Sequence, residues 1–282
     1  MPQIITNQAS IRYRYGDTDA TALSNIATAS LAQPLSVDKS SLESVYRAGD
    51  ELTYILSAAN GGTTTLTNVT LQDNLGTFTQ GATQITPLTF VPDALLYIDG
   101  VNNGTITPVI TDSSITFTIP SLPAQSTAMI LYKVTPNGFA PLEIPSSITN
   151  TVTANADGLT EAATDSLTVT AEAYADVGIV KSMTTDGSVI TYTFDITNAG
   201  NTPAENIVLT DAFDPAPASI TVSVNGTVIP ASDYTYTGGV LTLPNATGDT
   251  LTLPAATITT DPATGAVTVT PSSLTVTVVG TL

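Results

Sequence analysis

One spaced set of residues occurs twice in this sequence. The first copy reads Gly49, Thr53-Tyr54, Asn60, Gly62, Asn68 and Asp73, and the second reads Gly187, Thr191-Tyr192, Asn198, Gly200, Asn206 and Asp211. The members of each pair lie the same distance apart, since 187 − 49 and 211 − 73 both give 138. A lysine precedes each copy, Lys39 and Lys181. A chain of 282 residues with such a repeat predicts two domains of one kind, each able to bury its own core.

Both copies consist of short segments in which Val, Ile, Leu, Tyr and Phe alternate with Thr and Ser. This period of two is typical of half-buried β-strands, and the Asp-Gly and Asn-Gly pairs between the segments suit tight hairpin turns. Helical periodicity is nearly absent, and Pro92 to Leu96 forms at most one turn. We therefore predict an all-β fold of two immunoglobulin-like antiparallel sandwiches. The predicted divisions are 1–34 (an N-terminal strand segment), 35–172 (repeat 1 with a trailing hairpin) and 173–282 (repeat 2).

The second repeat lacks the final strand of the first. Repeat 1 continues into Ile148-Thr149-Asn150-Thr151-Val152, whereas the sequence reaches Leu282 without such a segment. A similar Ile5-Thr6-Asn7 lies near the N-terminus, where 150 − 7 gives an offset of 143. This arrangement predicts subunits that complete one another by strand donation. The predicted donor strand is Ile4, Ile5, Thr6, Asn7, Gln8, Ala9, Ser10 and Ile11, with Ile5, Asn7, Ala9 and Ile11 on one face.

Composition excludes several classes of function. Six Lys and Arg residues against 24 Asp and Glu give a net charge of −18, so nucleic acid and anionic membranes are not expected partners. The chain has no Cys and no His, which excludes disulfides, thiolate zinc sites and Ser–His or Cys–His catalysis. The oxygen-bearing residues Asp17, Asp19, Asn155 and Asp157 lack the spacing of a known calcium loop. We expect no metal and no cofactor.

The ordered set of lysine, Gly-Asp, Thr-Tyr, Asn-x-Gly, Asn-Val/Ile and Asp resembles the bacterial antigen-type tandem repeat of Gram-positive and archaeal surface proteins. The resemblance covers about residues 35–154 and, incompletely, 177–282. It implies immunoglobulin-type sandwiches strung into rods, with a structural or adhesive role and no reaction on an external substrate. Similar repeats occur in clostridial endospore appendages. No secretory signal, sorting motif or membrane tail is visible, so we expect the spore surface, with the cell wall as the alternative.

The resemblance to Gram-positive pilus and adhesin sandwiches also implies a possible chemistry. Such domains can join a first-strand lysine to a last-strand asparagine through an isopeptide bond, assisted by an acidic residue, because a desolvated lysine becomes a nucleophile. The candidates are Lys39, Asp73 and Asn150 in repeat 1. In repeat 2 they are Lys181 and Asp211, with Asn7 supplied by another subunit. The alternative is that both lysines are rim cations and both aspartates cap turns.

These observations predict a structural subunit that polymerises head-to-tail with copies of itself. A surface anchor or tip protein is a further candidate partner. One alternative is a fragment of a wall-anchored adhesin made of tandem repeats, whose open edges pair within a longer chain. Another is a carboxylate-pair hydrolase, although no acidic pair is singled out by its spacing.

Overall fold

A computed structural model describes residues 3–31, 33–245 and 250–282 of the chain. Its described residues form 29 β-strands and no helix, which confirms the predicted all-β class. None of them belongs to a helix long and apolar enough to cross a membrane. Residues 92–96, where one helical turn was allowed, lie instead in a strand that bulges against its neighbour.

The N-terminal strands form a two-stranded ribbon separate from both cores. They are β1 (Gln3–Asn7), β2 (Ser10–Tyr15), β3 (Thr18–Leu23) and β4 (Ala27–Leu31). β1 pairs with β4 and β2 with β3, both antiparallel, and Gly16 takes a positive φ at the tip. Almost every side chain described in this ribbon is exposed. An isolated two-stranded ribbon buries too little surface to be stable by itself.

The first repeat folds into two packed sheets. Its strands are β5 (Leu35–Ser41), β6 (Val45–Tyr46), β7 (Leu52–Asn60), β8 (Leu66–Asp73), β9 (Phe78–Gln80), β10 (Thr83–Ile85), β11 (Leu88–Ile98), β12 (Val101–Ile106), β13 (Val109–Ile110), β14 (Ile115–Leu122), β15 (Thr127–Pro136), β16 (Ser147–Asn155) and β17 (Ala163–Ala171). One sheet has the order β12-β11-β15-β7-β5 and the other β13-β14-β8-β16-β17-β6. Every second residue of β7 and β15 points into the core between the sheets, as the sequence alternation predicts.

The second repeat is a smaller version of the same sandwich. Its strands are β18 (Val177–Asp186), β19 (Val189–Asn198), β20 (Ala204–Ile207), β21 (Leu209–Ala212), β22 (Ile220–Val224), β23 (Thr227–Val228), β24 (Thr235–Thr237), β25 (Val240–Leu243), β26 (Leu251–Leu253), β27 (Thr257–Thr260), β28 (Val267–Thr270) and β29 (Ser272–Thr281). One sheet has the order β18-β19-β29-β22-β23. It faces two shorter pieces, β21-β25-β24 and β20-β26.

The two sandwiches differ at one sheet edge. In the first repeat β8 lies between β14 and β16. Its counterpart β21 pairs with β25, the counterpart of β14, and is an edge strand on its other side in the described structure. The position of β16 is therefore open in the second repeat.

The β27–β28 hairpin reaches back onto the first repeat. Ile258, Val267 and Val269 pack against the first core, and the Val267 N–H donates to the Gly138 carbonyl at 2.8 Å. Gly265 lies so close to Ile85 that an added Cβ would stand 2.0 Å from its Cδ1 atom. The hairpin thus belongs to the second repeat in sequence and to the first in packing.

Candidate functional site

Strand β5 directs Lys39 into the first core. Lys39 pairs with Leu56 of β7 and shares its inward face with Leu35, so the period of two places an ammonium group among apolar side chains. The Lys39 side chain is fully enclosed. A buried ammonium is costly unless it has a partner. Lys39 is therefore a core residue and not a rim cation.

Asp73, at the end of β8, is that partner. Its Oδ2 atom accepts hydrogen bonds from the Lys39 Nζ and the Tyr132 hydroxyl, and Lys39 Nζ also donates to the Tyr132 oxygen at 2.7 Å. The Asp73 Oδ1 atom accepts from the Leu75 N–H at 2.8 Å. The Asp73 carboxylate therefore caps the following turn, as in the alternative in which both aspartates cap turns. It also binds the buried lysine.

Burial changes the acid–base properties of the cluster. Desolvation lowers the pKa of Lys39, and it outweighs the opposing effect of the Asp73 charge and hydrogen bond. Burial and the Asp73 charge raise the pKa values of Tyr54 and Tyr132. Since Lys39 Nζ also lies 4.2 Å from the centre of the Tyr54 ring, aromatic faces surround the amine. Desolvation thus favours an uncharged, nucleophilic lysine, whereas Asp73 and the ring faces favour the ammonium.

Asn150 brings an amide to the same pocket. It lies on β16, two residues from Val152, which pairs with Asp73. Its side chain is completely buried and lies close enough to the Tyr54 and Tyr132 hydroxyls to oppose part of the burial-driven rise in their pKa values. Neither its Oδ1 nor its Nδ2 atom completes a hydrogen bond of normal geometry. A buried amide without partners costs about 1–3 kcal/mol, which makes Asn150 unusual as a purely structural residue.

The first-repeat site therefore contains a nucleophile, a proton acceptor and an amide carbon in one enclosed space. Lys39 and Asn150 share two neighbours, Tyr54 and Tyr132, and Asp73 binds the lysine. Such a set can support attack of an amine on an amide. The third lysine of the sequence, Lys133, instead makes an exposed ion pair with Glu51.

The second-repeat site keeps the charged pair and lacks the enclosure. Lys181 Nζ lies 2.8 and 2.7 Å from the two Asp211 carboxylate oxygens. The side chains are 41% and 16% exposed, whereas those of Lys39 and Asp73 are 0% exposed. Tyr192 and Phe213 flank the amine, at 4.9 and 5.4 Å from their ring centres, and line a cavity open to solvent.

The predicted donor residues lie on the exposed ribbon. Asn7 pairs with Ala27 across β1 and β4, and no hydrogen bond joins it to Lys181 within the described part of the chain. Ile5 and Ile11 are 48% and 63% exposed, and Thr6, Gln8, Ala9 and Ser10 are also exposed. Ile4 pairs with Ser30, and its side chain lies outside the described ones.

Sequence reasoning missed two tyrosines and one aspartate. Tyr54 belongs to the repeated Thr-Tyr pair but received no role, and Tyr132 lies opposite it on β15. Asp165 accepts a hydrogen bond from the Lys39 backbone N–H at 2.7 Å. Tyr132 has no equivalent in the second repeat, because Val278 takes the corresponding position opposite Tyr192. Pairing the segments of β7 and β15 at the sequence level would have set Tyr132 opposite Tyr54 and so identified it.

Other repeated residues have structural roles. The buried Asn60 amide donates to the carbonyls of Thr64, Leu122 and Pro123, and its oxygen accepts from the Gly62 N–H. Asn198 repeats this arrangement with Thr202, Pro254 and Gly200. The Asn-x-Gly element therefore closes loops and takes no part in the lysine site. Asp17 and Asp19, considered as calcium ligands, lie beside Arg14.

Comparison with known proteins gives only distant likenesses. No family model and no curated protein matches the sequence. Among solved structures, BcpA, the major pilin subunit of Bacillus cereus, is 12% identical with a TM-score of 0.40, covering 93% of this chain and 77% of the pilin. The pilus backbone protein RrgB of Streptococcus pneumoniae is 14% identical with a TM-score of 0.35, covering 84% of this chain and 56% of that protein.

A family 123 glycoside hydrolase from Clostridium perfringens is 13% identical with a TM-score of 0.33, and the match spans 50% of this chain and 27% of the hydrolase. Major pilin subunits are thus among the structural neighbours of this chain, together with an enzyme. At these identities and TM-scores, the likenesses carry no inference about function, which has to come from the site itself.

Proposed function

We propose that this chain is the structural subunit of a surface filament in which the N-terminal strand of one copy completes the second repeat of the next. The observation that carries the proposal is the open edge of β21, where the first repeat has β16. An open edge beside a partly uncovered core is a site for a further strand. We place this filament on the endospore surface and assign the chain to the antigen-type repeat family.

The internal repeat supplies a register for the incoming strand. In the first repeat Val152 pairs with Asp73 and Ala154 with Leu71. The offset of 143 relates the donor strand to β16, and the offset of 138 relates the second repeat to β8. Together they set Ala9 opposite Asp211 and Ile11 opposite Leu209. Asn7 then takes the position of Asn150.

The inward face of the incoming strand has suitable side chains. Ile148, Asn150, Val152 and Ala154 are all buried in the first repeat, and their counterparts are Ile5, Asn7, Ala9 and Ile11. Each large apolar side chain that becomes fully buried contributes about 1.5–3 kcal/mol. Because the donor and acceptor surfaces differ, the contact is heterologous, and its repetition produces a filament when the rotation between copies does not close a ring.

We further propose that Lys39 and Asn150 form an isopeptide bond. Lys39 gives a proton to Asp73, and the neutral Nζ attacks the Cγ atom of Asn150. A second proton passes from Nζ to Nδ2, the Cγ–Nδ2 bond breaks, and ammonia leaves with the proton held by Asp73 as ammonium. The product is a secondary amide and needs no oxidant. Lys181, Asp211 and the Asn7 of a neighbouring subunit would carry out the same reaction between subunits.

Substitutions on the two faces of the donor strand test the assembly. Ala9→Asp places a charge on the inward face and should abolish polymerisation, measured by light scattering and electron microscopy. Thr6→Asp, on the outward face, is the matched control and should polymerise. A peptide of residues 3–12 should block assembly of the intact chain. If the Ala9→Asp chain polymerises like the control, strand donation is wrong, and pairing within a longer adhesin chain becomes the better explanation.

A further inference from the structure

We propose that the donor is the whole β1–β4 ribbon, and that β4 covers strand β18 of the acceptor subunit while residues 8–11, which follow β1, pair with β21. This inference rests on the proposed function and specifies its interface. The acceptor surface would then include two elements, the open edge of β21 and the uncovered face of β18.

The first repeat shows what covers the equivalent of β18. There β17, the hairpin partner of β16, packs along β5. The Lys39 backbone N–H donates to the Asp165 side chain at 2.7 Å, and Val169 is completely buried. β16 and β17 therefore close the sandwich as a pair, and β16 alone would leave β5 uncovered.

Strand β18 has no such cover among the described residues. All ten of its residues are exposed, whereas β5 contains buried and half-buried residues. The exposed set includes four apolar side chains, Val177 (47%), Ile179 (55%), Val180 (67%) and Met183 (64%). An apolar strand exposed along its length indicates a missing neighbour.

Over β1 and β4 the ribbon has the register that this position requires. Asn7 pairs with Ala27 and Thr6 with Thr28, as Asn150 pairs with Leu167 and Thr149 with Thr168. The second strand of the ribbon is thus equivalent to β17 with an offset of 167 − 27 = 140. Direct alignment of the similar segments 24–29 and 166–171 gives a different offset, 166 − 24 = 142, which relates Ser24 to Ser166. The β1–β4 pairing shifts this alignment by two residues. Because side chains alternate with a period of two, the same side chains of β4 still face inward.

This register assigns a role to one residue that no motif singled out. Ala29 takes the place of the buried Val169 and faces into the acceptor. It is exposed in the isolated chain. The partner that fits this surface is a second copy of the same chain.

Charge substitutions on β4 in the full chain test the inference. Ala29→Asp should reduce polymerisation at least tenfold, and Thr28→Asp, whose counterpart Thr168 is exposed, should leave it unchanged. Ala29→Val, which restores the valine of β17, should polymerise at least as well as the native chain. Polymerisation is measured by light scattering at equal protein concentration. Ala9→Asp is made in parallel because it tests strand donation itself.

The outcomes separate the two proposals. If Ala9→Asp blocks assembly and Ala29→Asp does not, the segment of residues 4–11 is donated as a single strand and the ribbon proposal is overturned, whereas the proposed function stands. Equal loss in Ala29→Asp and Thr28→Asp would also overturn the ribbon proposal, because the effect would not depend on the face. If Ala9→Asp assembles normally, the proposed function fails as well.

Discussion

Lys39 and Lys181 occupy the same position in the two repeats, yet the first side chain is completely enclosed and the second is 41% exposed. Each pairs with an aspartate at the equivalent place, Asp73 or Asp211. The difference arises from β16 and β17, which close the first sandwich and have no counterpart on the second in the described structure. The second site is therefore a more open version of the first, and in the proposed filament a neighbouring subunit would bury its lysine.

The mass of the intact protein tests the bond in the first repeat. We expect a deficit of one ammonia relative to the sequence mass, restored to the full mass by Lys39→Met or Asp73→Asn. A cross-link across a loop of this length stabilises a domain by about 5 kcal/mol, by analogy with disulfides. Both variants should therefore unfold at a lower temperature.

Lys133→Met is the matched control for this experiment, since Lys133 is the exposed lysine of the same domain. It should keep the mass deficit and the melting temperature. A full sequence mass in the folded native protein would show that no bond forms at Lys39, whatever the geometry permits.

Removal of one hydroxyl tests the role of Tyr132 in this reaction. The Tyr132 hydroxyl hydrogen-bonds with both Lys39 and Asp73, so it can hold the pair in place and relay a proton. Tyr132→Phe should fold but form the bond at least about tenfold more slowly, since positioned proton transfer contributes about 10²–10⁴-fold to a rate. The measurement is the time course of ammonia loss in freshly translated chain, followed by mass spectrometry.

Phe90→Leu alters the aromatic packing against Tyr132 without removing a hydrogen bond, and so it serves as the control. If both variants slow the reaction equally, packing around the site is responsible and the hydroxyl has no special role.

Lys181→Met separates assembly from covalent locking. Strand donation depends on the β21 edge and not on the lysine, so the variant should still form filaments. Without a Lys181–Asn7 bond, these filaments should dissolve to monomers in hot detergent, whereas native filaments persist. Gel electrophoresis after heating gives the answer. Native filaments that also dissolve would refute the bond between subunits and leave the noncovalent contact intact.

The buried tyrosines predict a loss of stability at alkaline pH. The pKa of Tyr54 is raised mainly by burial. The folded chain keeps the hydroxyl proton that the unfolded chain releases near pH 10, so the unfolding free energy falls as pH rises above about 10. Tyr54→Phe should make this fall shallower. Its hydroxyl completes no normal hydrogen bond, which limits other effects of the change.

Denaturant unfolding between pH 8 and pH 11.5 measures the slope of the unfolding free energy against pH. Steps of about half a pH unit suffice around the tyrosine pKa of the unfolded chain, about 10. Tyr13→Phe, on the exposed ribbon, is the control for loss of a tyrosine. A slope identical in the native protein and Tyr54→Phe would mean that Tyr54 does not titrate differently in the two states.

The sequence alone determined the class of fold and much of the first site. Alternation of β-branched and polar residues fixes which face of a strand is buried, because side chains on a strand alternate with a period of two. For this reason the buried and exposed residues alternate along β7, β15 and β19 as the sequence pattern predicts, and Lys39 faces inward. The resemblance to pilus and adhesin sandwiches further predicted that Lys39, Asp73 and Asn150 belong together.

Only the tertiary structure decided how complete each site is. The enclosure of Lys39, the two tyrosines around it and the absence of hydrogen bonds at Asn150 depend on contacts between residues about a hundred positions apart. The offset of 140 between β4 and β17, in place of the 142 given by sequence alignment, also depends on strand pairing. Loop length between paired strands is free to vary, whereas the pairing fixes which side chains face inward. Local pattern specifies the face of a strand, whereas burial depends on which other strands are present to cover it.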